Sequence, residues 1–96
     1  MIDVELSPAA RRELLDARAF YCAVTMQLGE RFASTIDAAL RRIAASPTTW
    51  PRVSTRQRRY VVSAFPYAII YRVENDRVLV TAIAHQRRRF GYWRGR

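Results

Sequence analysis

The sequence predicts an α+β domain of two layers, an antiparallel sheet packed on a helical hairpin, with elements in the order β-α-α-β-β-β and a short C-terminal tail. Three observations carry this. Two stretches near the N-terminus place apolar residues at spacings of three and four, the helical period. Beyond residue 58 the apolar period falls to two, as in strands. Proline, glycine and polar clusters stand where one pattern gives way to the next.

Ile2 to Leu6 alternates apolar and acidic residues, which predicts a short half-buried strand. Ser7-Pro8 predicts a helix start, with a hydroxyl at the N-cap and proline at the first helical position. Ala10, Leu14, Ala17, Tyr21, Val24 and Leu28 then form one stripe, with Arg11, Arg12, Glu13, Asp16 and Arg18 mostly off it. Gly29 is expected to terminate this helix. Phe32, Ile36, Ala39, Leu40 and Ile43 form the stripe of a second helix, ended by Ser46-Pro47. So short a connection predicts an antiparallel helical hairpin.

Pro47 to Thr55 reads as a loop containing Trp50-Pro51. Arg59 to Ser63 reads as a strand, Phe65-Pro66 as a short turn, and Tyr67 to Val73 as a second strand. Tyr67, Ile69, Tyr71 and Val73 share one face of it; Ala68, Ile70 and Arg72 share the other. Glu74-Asn75-Asp76 is a tight polar turn. Val78 to Ala84 is apolar on both faces, so it should be a central strand of an antiparallel meander.

The 96 residues form a single domain, 1–96, and half of them are hydrophobic, enough for one core. Residues 1–46 carry six arginines and six acids, whereas residues 47–96 carry eleven arginines and only Glu74 and Asp76. The entire net charge of +9 therefore sits in the second half. That asymmetry points to an acidic partner, nucleic acid or protein; its plain alternative is general solubility. The chain has no lysine, which excludes mechanisms needing a lysine nucleophile or base. Cys22 is the only cysteine, so no internal disulfide forms, and with one histidine beside it no metal site is expected. Met1 to Glu5 lacks the basic start and apolar run of a signal peptide. Tyr60 to Tyr71 is too short to span a bilayer and contains Pro66. No membrane association and a cytoplasmic location are expected.

Several segments together resemble the RelE/ParE superfamily of toxins from bacterial type II toxin–antitoxin modules. They are VELSPAARREL at 4–14, the tyrosine before LGERF, SPTTWPRV at 46–53, and FPYAIIYRVENDRVLVTAIAHQRRRFGYW at 65–93. The most specific pieces are Phe65-Pro66-Tyr67 leading to Ile70-Tyr71-Arg72, and Ala84-His85 followed by Arg88, Tyr92 and Trp93. The likeness is greatest to the ParE-like, plasmid-stabilisation branch. Related sequences commonly carry a proline where this chain has Phe90. The resemblance implies growth inhibition, no cofactor, and a hetero-oligomer with a ParD-like antitoxin whose C-terminal segment is disordered alone. ParE relatives poison DNA gyrase; RelE relatives cut mRNA on the ribosome.

The two branches ask different things of His85-Gln86-Arg87-Arg88-Arg89-Phe90-Gly91-Tyr92-Trp93. RNA cleavage needs a base for the 2′-hydroxyl, a cation for the phosphate and an acid for the leaving oxygen. His85 and Tyr92 are the candidate acid–base groups, and Arg59, Arg72 or Arg88 the candidate phosphate clamps. The set is incomplete as a signature, because arginine is a poor general base. A gyrase poison needs only a docking surface, and nucleic-acid contact is then secondary. Arg87, Arg88, Arg89, Tyr92, Trp93 and Arg94 would supply it, arginine and tryptophan being typical of interface hot spots. If the last strand continues, the three arginines alternate faces, and one can turn back to a carboxylate such as Glu74. Trp93 can close the core while the arginines face outward. Arg56, Arg58, Arg59 and Tyr60 are the candidate contacts for antitoxin acids; the alternative is a sheet edge protected by charge.

Overall fold

In the computed structural model, which describes residues 2–96, the elements follow the predicted order. They are β1 (Asp3–Leu6), α1 (Pro8–Val24), α2 (Met26–Ala45), β2 (Arg58–Val61), β3 (Tyr67–Glu74) and β4 (Arg77–His85). Met1 lies outside the described residues. Among them, no helix is long and apolar enough to cross a membrane.

The start of α1 is the predicted one: Ser7 Oγ accepts from the Ala10 N–H at 3.1 Å, with Pro8 behind the cap. Its end is not. The helix stops at Val24, and Thr25, extended at φ −150°, serves both helices. Its N–H donates to the Tyr21 carbonyl, and its Oγ1 accepts from the Leu28 N–H at 3.0 Å. Gly29 is therefore no terminator but part of the first turn of α2. It is buried against Cys22, and a Cβ added there would lie 2.1 Å from Cys22 Sγ. The glycine lets the hairpin close. Gly29→Ala should destabilise the fold by about 1–3 kcal/mol through overpacking, less up to about 1 kcal/mol returned by alanine's helix propensity. Thermal melting measures this, and Cys22→Ala in the same chain should recover part of the loss. An unchanged melting temperature for Gly29→Ala would show that the helices have room to spare.

The sheet order is β1-β4-β3-β2. β2, β3 and β4 form the predicted antiparallel meander, and β4 is central. The sheet as a whole is mixed, because β1 joins β4 in parallel from Asp3↔Arg77 to Leu6↔Val80. Everything between these two strands, the hairpin and the meander, forms the long connection a parallel pair needs. Asn75 and Asp76, both at positive φ, make the two-residue turn from β3 to β4. β2 stops at Val61 rather than Ser63; the chain turns there, with Ala64 at φ +70°.

Both faces of the sheet are covered. Tyr67, Ile69, Tyr71, Val78, Val80 and Ile83 pack on Ala10, Ala17, Phe32, Ile36, Ala39 and Ile43 of the helices. Ile70, Ala82 and Ala84 face the other way, onto Trp93 of the tail. The register shifts between Ile70 and Tyr71, opposite Ala82 and Val80, which leaves Thr81 as the extra residue of a bulge. Thr81 Oγ1 donates to the Ile70 carbonyl and accepts from Gln57 Nε2 at 2.9 Å. The two buried polar residues of the core thus satisfy one another.

Candidate target-binding surface

β1 pairs with β4 only as far as Val80, whose carbonyl takes the Ser7 N–H at 2.9 Å before Pro8 leads away into α1. From Thr81 onward that edge of β4 has no strand beside it. Two side chains take its place. Glu13, on the second turn of α1, accepts the Ile83 N–H at Oε1, 3.1 Å away. Arg96 Nη1 donates to the Thr81 carbonyl at 3.1 Å and to Glu13 Oε1 at 2.9 Å. The Tyr92 hydroxyl donates to Glu13 Oε2 at 2.6 Å, and Arg88 Nη1 lies 3.7 Å from the same oxygen. One carboxylate thus joins α1, β4 and three residues of the tail.

The tail, from Gln86 on, is a series of turns rather than a strand. The Gln86 N–H donates to the Pro66 carbonyl, Arg88 N–H to His85, Tyr92 N–H to Arg89, and Arg94 N–H to Gly91. Gly91 sits at φ +86°, open to glycine and strained for most other residues. The turns bring Trp93 down onto Ile70, Ala82 and Ala84, where it is 2 % exposed. Phe90 stacks edge-on against it at 5.5 Å, and is itself 60 % exposed. Arg87, Arg88, Arg89 and Arg94 are exposed.

Trp93 is thus inside and the arginines outside, as anticipated, but not by strand alternation, since β4 ends at His85. The arginine that turns back is Arg88. It meets Glu13, and its guanidinium lies 3.8 Å from the centre of the Tyr92 ring. Glu74 is held by others, with Arg72 Nε at 3.1 Å, Arg77 Nη2 at 3.9 Å and Arg56 Nη2 at 4.0 Å.

His85, Arg88 and Tyr92, the candidate acid–base and clamp groups, do come together. With Glu13, Asp16 and Phe20 they line a depression of about 330 Å³. Two of the three have a polar atom committed to structure. His85 Nδ1 accepts the Arg87 N–H at 2.9 Å, and its ring stands edge-on to Tyr67. Burial first, then the hydrogen bond to Glu13 and its charge, raise the Tyr92 phenol well above its ordinary value, outweighing Arg88 and Arg96. The side chain is held neutral as a donor.

Arg56, Arg58, Arg59 and Tyr60 do not form one surface. Tyr60 is buried on the helix side, its ring tilted against Trp50 and its hydroxyl accepting from Arg42. Arg59 lies on the opposite face, beside His85, Arg89 and Phe90. Arg58 Nη1 is held by the carbonyls of Thr48 and Trp50, and Arg56 is exposed in the loop before β2. Period-two alternation separates the neighbours Arg59 and Tyr60 by the thickness of the sheet. Glu13 and Arg96 escaped sequence reasoning. Their partners lie 70 to 83 residues away in Glu13's case, so no local pattern marks them. Among the described residues no group of three His, Cys, Asp or Glu is placed to hold a metal ion.

Residues 4–90 match the sequence model of a family described as the ParE toxin of type II toxin–antitoxin system, parDE. Eight chains of solved structures also match. One belongs to a structure described as the chromosomal ParDE TA system from P. aeruginosa. It has a TM-score of 0.64 and 12% identity, covering 88% of this chain and 96% of that one, a likeness of fold. No curated protein sequence matches. The two-helix layer, the strand order and the match over most of the length agree: this chain belongs to the ParE toxin family of type II toxin–antitoxin systems.

Proposed function

We propose that this chain is a toxin that inhibits DNA gyrase by binding it, breaks no covalent bond itself, and is neutralised by a cognate antitoxin. One observation carries the reading: the tail is fastened from beneath by Trp93 and Glu13, and so holds Arg87, Arg89, Arg94 and Phe90 outward on a fixed support. A preorganised cationic and aromatic ridge suits docking to a macromolecule. Tyr92 is hydrogen-bonded within this fastening and His85 Nδ1 is occupied by the Arg87 N–H, which favours binding over acid–base chemistry. The antitoxin has apolar surface to bury: Phe20, Val24 and Met26 around the hairpin turn and Val61 on β2 are all more than half exposed.

Purified chain added to gyrase and relaxed plasmid should suppress supercoiling and accumulate cleaved plasmid. Arg87→Ala with Arg89→Ala should weaken this by at least about tenfold, as for hot-spot residues, while His85→Gln leaves it intact. Expression of the chain without its antitoxin should break chromosomal DNA and induce the SOS response. Intact DNA beside translation-dependent cuts within mRNA codons would overturn the reading in favour of a ribonuclease built around His85, Arg88 and Tyr92.

A further inference from the structure

A second arginine cluster meets the ridge at Arg94 and extends away from it. Between the loop at 54–57 and the end of the tail runs a groove of about 470 Å³, lined by Ser54, Thr55, Arg56, Arg72, Arg94 and Arg96 among others. A depression of about 350 Å³ adjoins it, sharing Thr55, Arg56 and Arg72 and adding Arg52, Arg58 and Glu74. We propose that these two adjoining depressions together bind the phosphodiester backbone of a nucleic-acid duplex.

Charge is the first argument. Six arginines line the two depressions; among the described residues the side-chain carboxylates within ion-pair distance of them are Glu74 and, for Arg96, Glu13, and Arg72 Nη1 also donates to the main-chain oxygen of Arg96 at 2.9 Å. Glu74 is already shared between Arg72 and Arg77, with Arg56 no nearer than 4.0 Å. Arg94 has no carboxylate within ion-pair distance among the described residues; the rings of Phe90 and Trp93 lie 5.7 and 6.0 Å from its guanidinium carbon. Several positive charges therefore remain uncompensated along one path.

Orientation is the second. Arg58 Nη1 donates to the carbonyls of Thr48 at 3.1 Å and Trp50 at 2.8 Å, and Arg52 Nη1 to that of Thr55 at 3.3 Å. Main-chain carbonyls hold these guanidinium groups in place without cancelling their charge, so less ordering remains to be done on binding.

The lining itself selects the class of ligand. Arginines and hydroxyl residues make up most of the lining, joined by Gln57, Val73, Glu74 and Gly95, and neither depression has an aromatic residue in its wall. An acidic peptide would need apolar or aromatic anchors for affinity. A single strand would need rings on which its bases could stack. A duplex presents phosphates to be met by arginine forks and hydroxyl donors, which is what the groove supplies. The site goes beyond the gyrase reading and does not depend on it.

The test is anisotropy of a labelled short duplex of mixed sequence, made as DNA and as RNA, titrated with the full chain and no gyrase. Arg56→Gln/Arg94→Gln removes two exposed groove charges. Arg11→Gln/Arg12→Gln removes two exposed charges from α1 and controls for net charge. Matched melting curves accompany each titration. The groove pair should weaken duplex binding at least about tenfold and reduce the salt slope by about 2 between roughly 50 and 200 mM. The helix pair should stay within about twofold of the parent, as expected of non-contacting charges. Tighter binding of the DNA or of the RNA form identifies the source of the backbone. Equal weakening by both pairs, no duplex binding by the parent at low salt, or tighter binding of a charge-matched polyglutamate peptide would each overturn the proposal.

Discussion

Trp93→Ala is expected to cost about 3–5 kcal/mol, the usual range for emptying a buried aromatic site. Trp93 is among the largest fully buried side chains and the centre of the cluster that includes Ile70, Ala82 and Ala84. Those neighbours on the sheet include two alanines, which are too small to collapse into the space. For a domain of this length each kilocalorie is worth roughly 4–8 °C, so the melting temperature should fall by roughly 12–40 °C. Total stability for such a domain is on the order of 5–10 kcal/mol, so the variant sits near the edge of folding. Trp93→Phe keeps much of the ring and should lose far less. This separates two readings of a lost-toxicity variant. If Trp93→Phe stays folded and toxic while Arg87→Ala/Arg89→Ala stays folded and inert, the tryptophan is a support and the arginines are the contact. A Trp93→Ala chain that melts with the parent would show that the tail docks by some other means.

Glu13→Ala is expected to cost about 3 kcal/mol, the lower end of the range for removing one partner of a buried ion pair. The lower end applies because Arg96 retains 28% of its side-chain exposure and can recover some hydration. The loss has three parts: the Ile83 N–H loses its acceptor, Tyr92 its partner, and Arg96 its counter-charge. Glu13→Gln keeps an oxygen for the Ile83 N–H and should lose about half as much, since a neutral hydrogen bond is worth roughly 0.5–1.5 kcal/mol. Limited trypsin digestion gives a readout specific to the tail: cleavage after Arg89 and Arg94 should accelerate before the helices open. The cluster also has an alkaline signature. A phenol raised in the folded state contributes stability that is fully present below its unfolded value near 10 and is lost as pH climbs through the folded value. Burial and Glu13 raise Tyr92, and burial raises Tyr67 and Tyr71. The melting temperature should therefore hold up to about pH 10 and fall above it. Tyr92→Phe should remove part of that fall, leaving the share of the other two. An identical alkaline decline in Tyr92→Phe would show that Tyr92 contributes nothing to it.

By itself the sequence determined the parts whose physics is local. Ser7-Pro8 starts α1, the stripes of Ala10 to Tyr21 and Phe32 to Ile43 form the helical face of the core, and alternation in Tyr67 to Tyr71 splits the second strand between two faces. Capping, helical period and pleat each act within a few residues, so their marks can be read along the chain. Gly29 was misleading because a glycine can end a helix or admit a neighbouring one. Only the approach of Cys22 decides between them. The tertiary structure alone decided the rest. It placed β1 beside β4 in parallel, ended that pairing at Val80, and so left an edge for Glu13 and Arg96 to fill. It separated Arg59 from Tyr60 and drew Arg56 and Arg72 together with Arg94 and Arg96 into one groove. These contacts join residues far apart in the chain, chosen by strand register and by how far a carboxylate or guanidinium can reach, and neither quantity is written in any short stretch of sequence.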